Sequence, residues 1–578
     1  MKNLAKRYEW WILAILAAII TVMGTIGFHR TPSGSGDITK SLYLAIQLFF
    51  LESGTNEPNI PFFSLLNAAR WLAPLLLAYA GIKTAITILA DEWHLMKLIG
   101  LKKHIIFFGY NDALVPLIKN LIETKYSGKS QKQKSKIIIV TDHASNTQIA
   151  SLRKSGVIFV KRAPSESQIY KRIKVKKAKY CFIVTSNDFS NVMITKELLR
   201  YKQTFTKSEH LIAYALISHP SLKIELQHHE VFIRNYKNFD ARVFNPHENT
   251  ARLLYKKYAP DIFKPVTTTQ APSPNILLLG FNDTAQAFLT QHGLLGHYIN
   301  ETKPAVTVMD DNTSEIFEQY IARTHHIKEI LDLEFIHKNL QCLAKQELND
   351  VLQEKHFDVI YLFIDNETLL FSLTSWLHLL HATHSFYVII NCYSNFIANK
   401  QMQELPNNFI LANLAEESAS PLYIIDEELD WMAKQLHALF LETENKKHGG
   451  PGKSSKPSAV PWNILPEEYK QSNRSQADHL LVKLRSAEVV SPRQSLADAK
   501  KALNDKPDWI TKKQLEQLAI TEHNRWCAEK WIIGWEQGER DDDHKRHPDL
   551  VPWEDLNEGT KDYDRVFVKS IPELLKNL

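Results

Sequence analysis

The side chains best suited to chemistry in this 578-residue chain gather near its C-terminal end. Asn473, Arg474 and His479 stand close together, and His523, Arg525 and Trp526 follow in Glu522-His523-Asn524-Arg525-Trp526. Trp462, Trp531, Trp535 and Trp553 are interleaved with them. An indole face stacks a planar base, and a guanidinium grips phosphate through a fork of N–H donors. Asn473, Arg474, His479, His523, Arg525 and Trp526 are therefore candidate contacts for a nucleotide-like small molecule. The competing reading puts Trp526, Trp531 and Trp535 in a helical core and pairs Arg474 and Arg525 with structural acids. Asp541-Asp542-Asp543-His544-Lys545-Arg546-His547 sets carboxylates beside two imidazoles, but the intervening cations oppose a metal ion, so a solvated loop is expected and no metal site is assigned. No GxSxG, HExxH, Walker loop or paired-carboxylate setting occurs, so no catalytic residue is assigned.

A second chemistry-bearing pattern is written twice. Ile105-Ile106-Phe107-Phe108-Gly109-Tyr110-Asn111-Asp112 returns as Leu277-Leu278-Leu279-Gly280-Phe281-Asn282-Asp283. A dinucleotide fold uses glycines in this turn so that backbone can approach a pyrophosphate, and an acid after the second strand to hold a ribose. Gly109, Asn111 and Asp142 in the first copy, and Gly280, Asn282 and Asp310 in the second, are the candidate cofactor contacts, for NAD or another nucleotide. Both acids lie further from their glycines than the usual ~20 residues. Each turn keeps only the first of three glycines, so the fold is expected and a retained ligand stays open. Asp112 and Asp283 would repel a phosphate there, or complement the helix dipole as first-turn acids.

Around these turns, short apolar runs alternate with helical segments. The first copy has Ile105–Phe108, Ile137–Val140, Val157–Val160, Tyr180–Thr185 and Leu211–Ile217; the second has Ile276–Leu279, Val306–Met309, Phe335–Ile336, Val359–Ile364 and Tyr387–Asn391. That periodicity predicts two doubly wound parallel-sheet, Rossmann-like α/β domains, at 103–260 and 272–425. A helix and a flexible linker are expected over 426–461, and a mainly α-helical domain over 462–575.

The first hundred residues are of another kind. The run 10–28 is uncharged and long enough to cross ~30 Å of hydrocarbon. Lys2, Lys6 and Arg7 precede it, placing the N-terminus in the cytoplasm. A cleaved signal peptide is the alternative, without a clear cleavage site. A second span is expected over 71–90, with Lys83 roughly 18 Å along it, either snorkelling to headgroups or facing a water-filled path. Lys97, Lys102 and Lys103 then keep the rest of the chain, and its C-terminus, cytoplasmic. Between the spans, 42–51 is too short to cross and suits a re-entrant half-helix, or else an interfacial one. Glu52, Ser53, Gly54 and Lys83 are the candidate pore residues. The chain thus reads as a membrane α-helical hairpin followed by α/β domains.

Composition agrees. The chain is 44% hydrophobic and 23% charged, and its net charge of +5 is too slight to argue for nucleic acid. Four cysteines with no CxxC spacing suit a reducing compartment and no disulfide framework.

Three resemblances follow from these residues. Span, short helix, polar turn and span resembles a two-span potassium-channel pore, although Leu51-Glu52-Ser53-Gly54 stands where such pores carry a Thr-Val-Gly-Tyr-Gly-like run, so potassium selectivity does not follow. Residues 103–425 resemble tandem regulator-of-potassium-conductance domains, related to the Trk uptake regulators. Lys177-Ala178-Lys179-Tyr180-Cys181-Phe182-Ile183-Val184-Thr185 with Asn187-Asp188 and Asn191 match that family's fourth strand, while Arg162-Ala163 replaces its usual Gly-Asp. The resemblance implies a homo-oligomeric ring that transmits ligand-driven motion. Ser472–His479, Glu522–Trp526, Gly534-Trp535, His547–Trp553 and Asp564-Arg565 resemble the bacterial form of the ryanodine-receptor repeat domain, which implies small-molecule binding more than catalysis.

The leading expectation is a ligand-gated channel or permeability effector of the plasma membrane, for cations, in contact with lipid and gated by a nucleotide-like ligand. The alternative is a membrane-tethered sensor or adaptor without conduction, and an enzyme is the weakest reading.

Overall fold

The computed structural model describes residues 2–576 except 35, 53–63, 97, 99, 112–113, 124–135, 143–145, 207, 227–228, 234–235, 312, 393–403, 505 and 507–508. The chain divides into Met1–Leu101 and Lys102–Leu578.

In the first unit, an uncharged apolar run propagates one long helix, Lys2–His29, and a second helix covers Leu65–Met96. Their stretches Trp11–His29 and Leu65–Ala85 are long and apolar enough to cross a membrane. Only 22% and 17% of those windows are buried, so neither is a core helix of this chain. The second stretch begins earlier than Trp71, because the helix carries Asn67 and Arg70 within it. Lys83 consequently stands near the end of the stretch, its Nζ 5.9 Å from the centroid of the Tyr79 ring. Between the two, Asp37 caps the helix Ile38–Gln47 by accepting from Thr39 N at 2.8 Å. A 3-10 turn, Leu48–Phe50, continues it and ends at Leu51, which has φ 64°. Glu52 is exposed; Ser53 and Gly54 lie outside the described residues.

Small residues let these three helices approach. A Cβ placed on Gly24 would stand 3.0 Å from Ala45 Cβ, and one on Gly27 would stand 2.7 Å from Leu66 Cβ. Close backbone contact of this kind is how helices associate in lipid, where apolar burial supplies no drive. Ile20, Phe28, Leu48, Leu66, Ala69 and Ala73 are buried around that seam, whereas Trp11, Ile15, Ile19, Trp71, Leu75 and Ile82 face outward.

The second unit is built on two sheets. The first holds β1 (Ile105–Phe108), β2 (Ile137–Val140), β3 (Ile158–Val160), β4 (Tyr180–Ile183), β5 (Leu211–Leu216) and β6 (Phe239–Phe244), in the order β3-β2-β1-β4-β5-β6. The second holds β7 (Asn275–Leu279), β8 (Ala305–Asp310), β9 (Asp332–His337), β10 (Val359–Leu362), β11 (Tyr387–Asn391) and β12 (Phe409–Ala412), in the order β12-β11-β10-β7-β8-β9. All pairings within both sheets are parallel, and Phe107 lies in register between Ile139 and Phe182. Central strands such as β1 and β10 are buried throughout, as helices on both faces require. Both sheets are doubly wound, and each reverses its strand order beside a glycine turn. The sixth strand of each sheet, β6 and β12, escapes the sequence pattern.

The sheets exchange flanking elements. Asn245 caps the helix Pro246–Tyr258, accepting from His247 N at 2.9 Å. That helix leaves the first sheet but buries Ala251, Leu254 and Tyr255 with Phe288 and Leu289 of the second. After β12 the chain returns, and Ala419, Ile424 and Ile425 join the core of β1 and β4. The helix Trp431–His448 then runs past Lys446 and Lys447 to Gly449, which ends it at φ 74°. The segment read as a flexible linker is tied along this helix: Ser454 Oγ and Lys456 Nζ reach the Glu444 carboxylate at 3.0 and 2.8 Å. The C-terminal region is helical, with Glu467–Asp478, Leu480–Ser486, Leu496–Leu503, Lys512–Ile532 and Glu558–Lys576.

Gly280 has φ +92°, and a Cβ there would lie 2.4 Å from Phe363 O. Gly280→Ala should therefore cost about 1–3 kcal/mol through overpacking, with strain from the left-handed backbone added to it. Gly156, also at φ +91° but with nothing within 4 Å, should tolerate alanine better. Thermal unfolding of the detergent-solubilised chain checks this; equal midpoints for the two variants would contradict it.

Candidate functional site

The glycine turns show first what their residues do locally. Gly109 N and Gly280 N donate to Val140 O and Met309 O at 2.8 and 3.0 Å. Their missing Cβ atoms make room for the ends of neighbouring strands, at Val184–Thr185 and Phe363. In the second copy, Asp310 Oδ2 accepts from Phe281 N at 2.6 Å, and its Oδ1 accepts from Asp311 N at 2.6 Å. Asn282 caps the helix Asp283–Leu295 by accepting from Ala285 N at 3.1 Å, and its amide donates to Asp365 at 3.0 Å.

Cavities of about 110 and 290 Å³ flank this turn, lined between them by Asp283, Asp310, Asp311 and Asp365 and, among the described residues, by no lysine or arginine. A pyrophosphate seated there would face carboxylates and a helix N-terminus already capped, so these residues do not fit a dinucleotide. In the first copy, Asn111 is half-buried and Asp142 exposed, and Asp112 lies outside the described residues. Asn191, fully buried, ties β4 to β5, its Oδ1 accepting from Thr185 N at 2.9 Å and its Nδ2 donating to Leu216 O at 2.9 Å.

Five of the six C-terminal candidates fall into three places, and Asn473 donates back to Tyr469 O at 2.7 Å on its own helix. His479, Lys483, Glu522 and Arg525 form one buried network. Lys483 Nζ lies 2.6 Å from Glu522 and 2.5 Å from His479 Nδ1, and His479 Nε2 donates to His297 O at 2.9 Å. Arg525, 1% exposed, meets Glu522 at 3.0 Å and Glu529 at 2.6 Å. Burial, reinforced by the Lys483 charge, holds the His479 imidazole well below its usual range and so neutral. His523 and Trp526 stack at 5.9 Å in a separate aromatic cluster, where His523 Nε2 donates to Val551 O at 2.8 Å. Beside both clusters stands Asp564, whose carboxyl burial and the Glu522 charge push up to about 8.

Arg474 belongs to a third place that sequence spacing does not reveal. Asp430 accepts from Arg474 Nε at 2.9 Å and from Arg252 Nη1 at 2.7 Å, and Arg252 Nε also donates to Asp478 at 2.7 Å. Arg474 further pairs with Glu467, and Arg485 is bidentate to Asp261 at 2.5 and 3.0 Å. These contacts join the helix between the sheets, the start of the helix Trp431–His448 and the C-terminal helices. The two guanidiniums overcome burial to hold the Asp430 carboxyl far below its usual range. Arg474 also lines a cavity of about 450 Å³ with Trp462, Lys470, Arg242 and Glu427. Lys470 makes no ion pair among the described residues, and its ammonium lies 6.0 Å from the Trp462 ring centroid.

In the 541–547 loop, His544 Nδ1 and Asp541 Oδ2 lie 2.7 Å apart. Among the described residues, no group of three or more His, Cys, Asp or Glu is placed to hold a metal.

Comparison with known proteins meets this picture at two points. The RyR domain family model matches residues 508–578, the later part of the stretch that resembles that domain. Solved structures of similar fold include the GsuK channel, at 14% identity, covering 74% of this chain and 99% of that one, with a TM-score of 0.38. The GsuK channel bound to NAD matches at 11% identity, covering 74% and 84%, with a TM-score of 0.40. GsuK bound to ADP matches at 13% identity, covering 72% and 96%, with a TM-score of 0.38. Likenesses this distant carry no argument about ligand or conduction. No curated protein matches the chain.

Two outcomes follow from the buried charges. Asp430→Asn leaves Arg252 and Arg474 short of a counter-charge and should cost about 3–5 kcal/mol, read as a lowered thermal midpoint together with faster hydrogen exchange in Pro246–Tyr258; an unchanged midpoint would contradict it. Asp564 keeps its proton when folded up to about pH 8, whereas the unfolded chain loses it near 3.8. Native protein therefore binds the extra proton between those values, and stability should fall as pH rises through that window. Asp564→Asn should flatten this dependence, most visibly in midpoints compared at pH 5 and pH 8.

Proposed function

We propose that this protein is an oligomeric, ligand-gated membrane channel or permeability effector for cations, whose larger unit senses a nucleotide-like small molecule. The observation that carries the reading is the union, in one chain, of an outward-apolar hairpin with a large unit whose parts are locked by buried ion pairs. Binding energy gained anywhere in such a unit biases the whole of it. The RyR domain match at 508–578 supports a ligand-sensing role.

Lys2, Lys6 and Arg7 before the hairpin, and Lys102 and Lys103 after it, favour cytoplasmic termini in the plasma membrane. A closed ring of subunits would bring several Glu52 carboxylates to one mouth, where they concentrate cations. Gating is then a population shift. A ligand that binds one ring conformation roughly 10⁴-fold better, a difference of about 5.5 kcal/mol, carries the equilibrium from closed to open. Nothing in this scheme requires turnover.

Planar-bilayer recording of the purified chain, with a panel of nucleoside mono- and diphosphates, checks the proposal. Ligand-dependent cation current is expected, with Glu52→Gln lowering the cation-to-anion permeability ratio several-fold. A protein that binds a nucleotide yet stays silent under it would instead be the tethered sensor.

A further inference from the structure

The largest cavity described, about 690 Å³, touches neither glycine turn nor any of the six candidate residues of the C-terminal region. It opens between the helix Pro246–Tyr258, the start of the helix Trp431–His448 and the C-terminal helices around Leu481 and Arg485. Its wall is apolar and aromatic, from Tyr258, Phe263, Trp431 and Leu481. Its volume suits a small organic ligand.

The charged groups on it are unlike those of the other cavities. Arg485 is 5% exposed, and it commits Nε and Nη2 to Asp261. That bidentate pair fixes the guanidinium plane and leaves Nη1 buried without a hydrogen-bond partner. An unmet N–H on a buried charged group is costly, and an anionic acceptor relieves it. At the rim, Lys256 and Arg493 are exposed and make no ion pair among the described residues. Arg252, Lys257 and Asp478 also line the cavity, but each is already paired, Lys257 with Glu417 and Arg252 with Asp478. Glu428 is the single lining carboxylate without a pair among the described residues. Around the second glycine turn, by contrast, the charged lining among the described residues is carboxylate.

We propose that this cavity, and not the second glycine turn, is the site for the nucleotide-like ligand: a nucleoside monophosphate whose base lies on the Trp431–Phe263–Tyr258 wall and whose phosphate meets Arg485, Lys256 and Arg493. The proposal rests on the ligand-sensing part of the function given above. The position has a consequence for coupling. Arg252 bonds Asp430 and Trp431 follows it in sequence, and both line the cavity, so an occupied cavity presses on the ion network that joins the sheets to the C-terminal helices.

The test is calorimetric titration of the full chain in detergent with AMP, and separately with adenosine and with inorganic phosphate. AMP should bind, and adenosine and phosphate should each bind at least tenfold more weakly. The rim variant Lys256→Glu/Arg493→Glu alters exposed side chains and should weaken AMP at least tenfold. Gln341→Trp, which fills the exposed lip of the cavity beside the second glycine turn, should leave AMP affinity within twofold. No AMP binding, phosphate binding as tight as AMP, or a loss with Gln341→Trp that the rim variant does not share would each overturn the site. Flux measured in the same preparation separates the two claims. Rim-sensitive AMP binding without ligand-dependent flux keeps the site and removes the gating reading. Ligand-dependent flux that survives the rim variant removes the site and keeps the gating.

Discussion

Asp430 is shared by two guanidiniums that arrive from distant parts of the chain, and the order of the larger unit depends on that sharing. Arg252 comes from the helix between the sheets and Arg474 from the first C-terminal helix, and both bond the one carboxylate within 3 Å. A buried ion pair is weak as a source of stability, because desolvation offsets much of the attraction. Its force lies in what it forbids. Any arrangement that separates the helix between the sheets from the C-terminal helices strands a charge in a low-dielectric interior, so intermediate geometries are penalised. Arg485 with Asp261 repeats the device one helix further on.

The duplicated sheets supply a frame. Both keep the doubly wound order and the glycine that lets a turn pass close to the neighbouring strand. In the second copy, the groups that would greet a dinucleotide are turned inward: Asp310 holds its own turn and Asn282 caps its own helix. Positive side chains, among them Lys256 and Arg485, line the large cavity instead. A likeness of fold by itself therefore says little about what is bound.

Much of the fold was legible because buried parallel strands leave short uninterrupted apolar runs, such as Ile105–Phe108 and Val359–Leu362. β6 was not, because Asp240 and Arg242 interrupt it at alternate positions, as an edge strand permits. β12 has only four residues, too few for a pattern. The second apolar stretch starts at Leu65 although Arg70 interrupts its hydropathy, since a long apolar helix carries one charge without ending. Glu522, Arg525 and Glu529 sit at helical spacing, so their pairing could be read from the sequence. Arg252, Asp430 and Asp478 could not: their bonds span 178 and 226 residues, and nothing local marks one arginine among many as the buried one. The same distance hid the large cavity, whose walls come from six separate stretches of chain between Arg252 and Ala497.

Subunit number is the measurement closest to the central claim, because a permeation path needs a closed collar of hairpins. Mass photometry of the full chain in lipid nanodiscs at low protein concentration should return a single species of more than two copies. A population that is strictly monomeric in lipid would contradict the account.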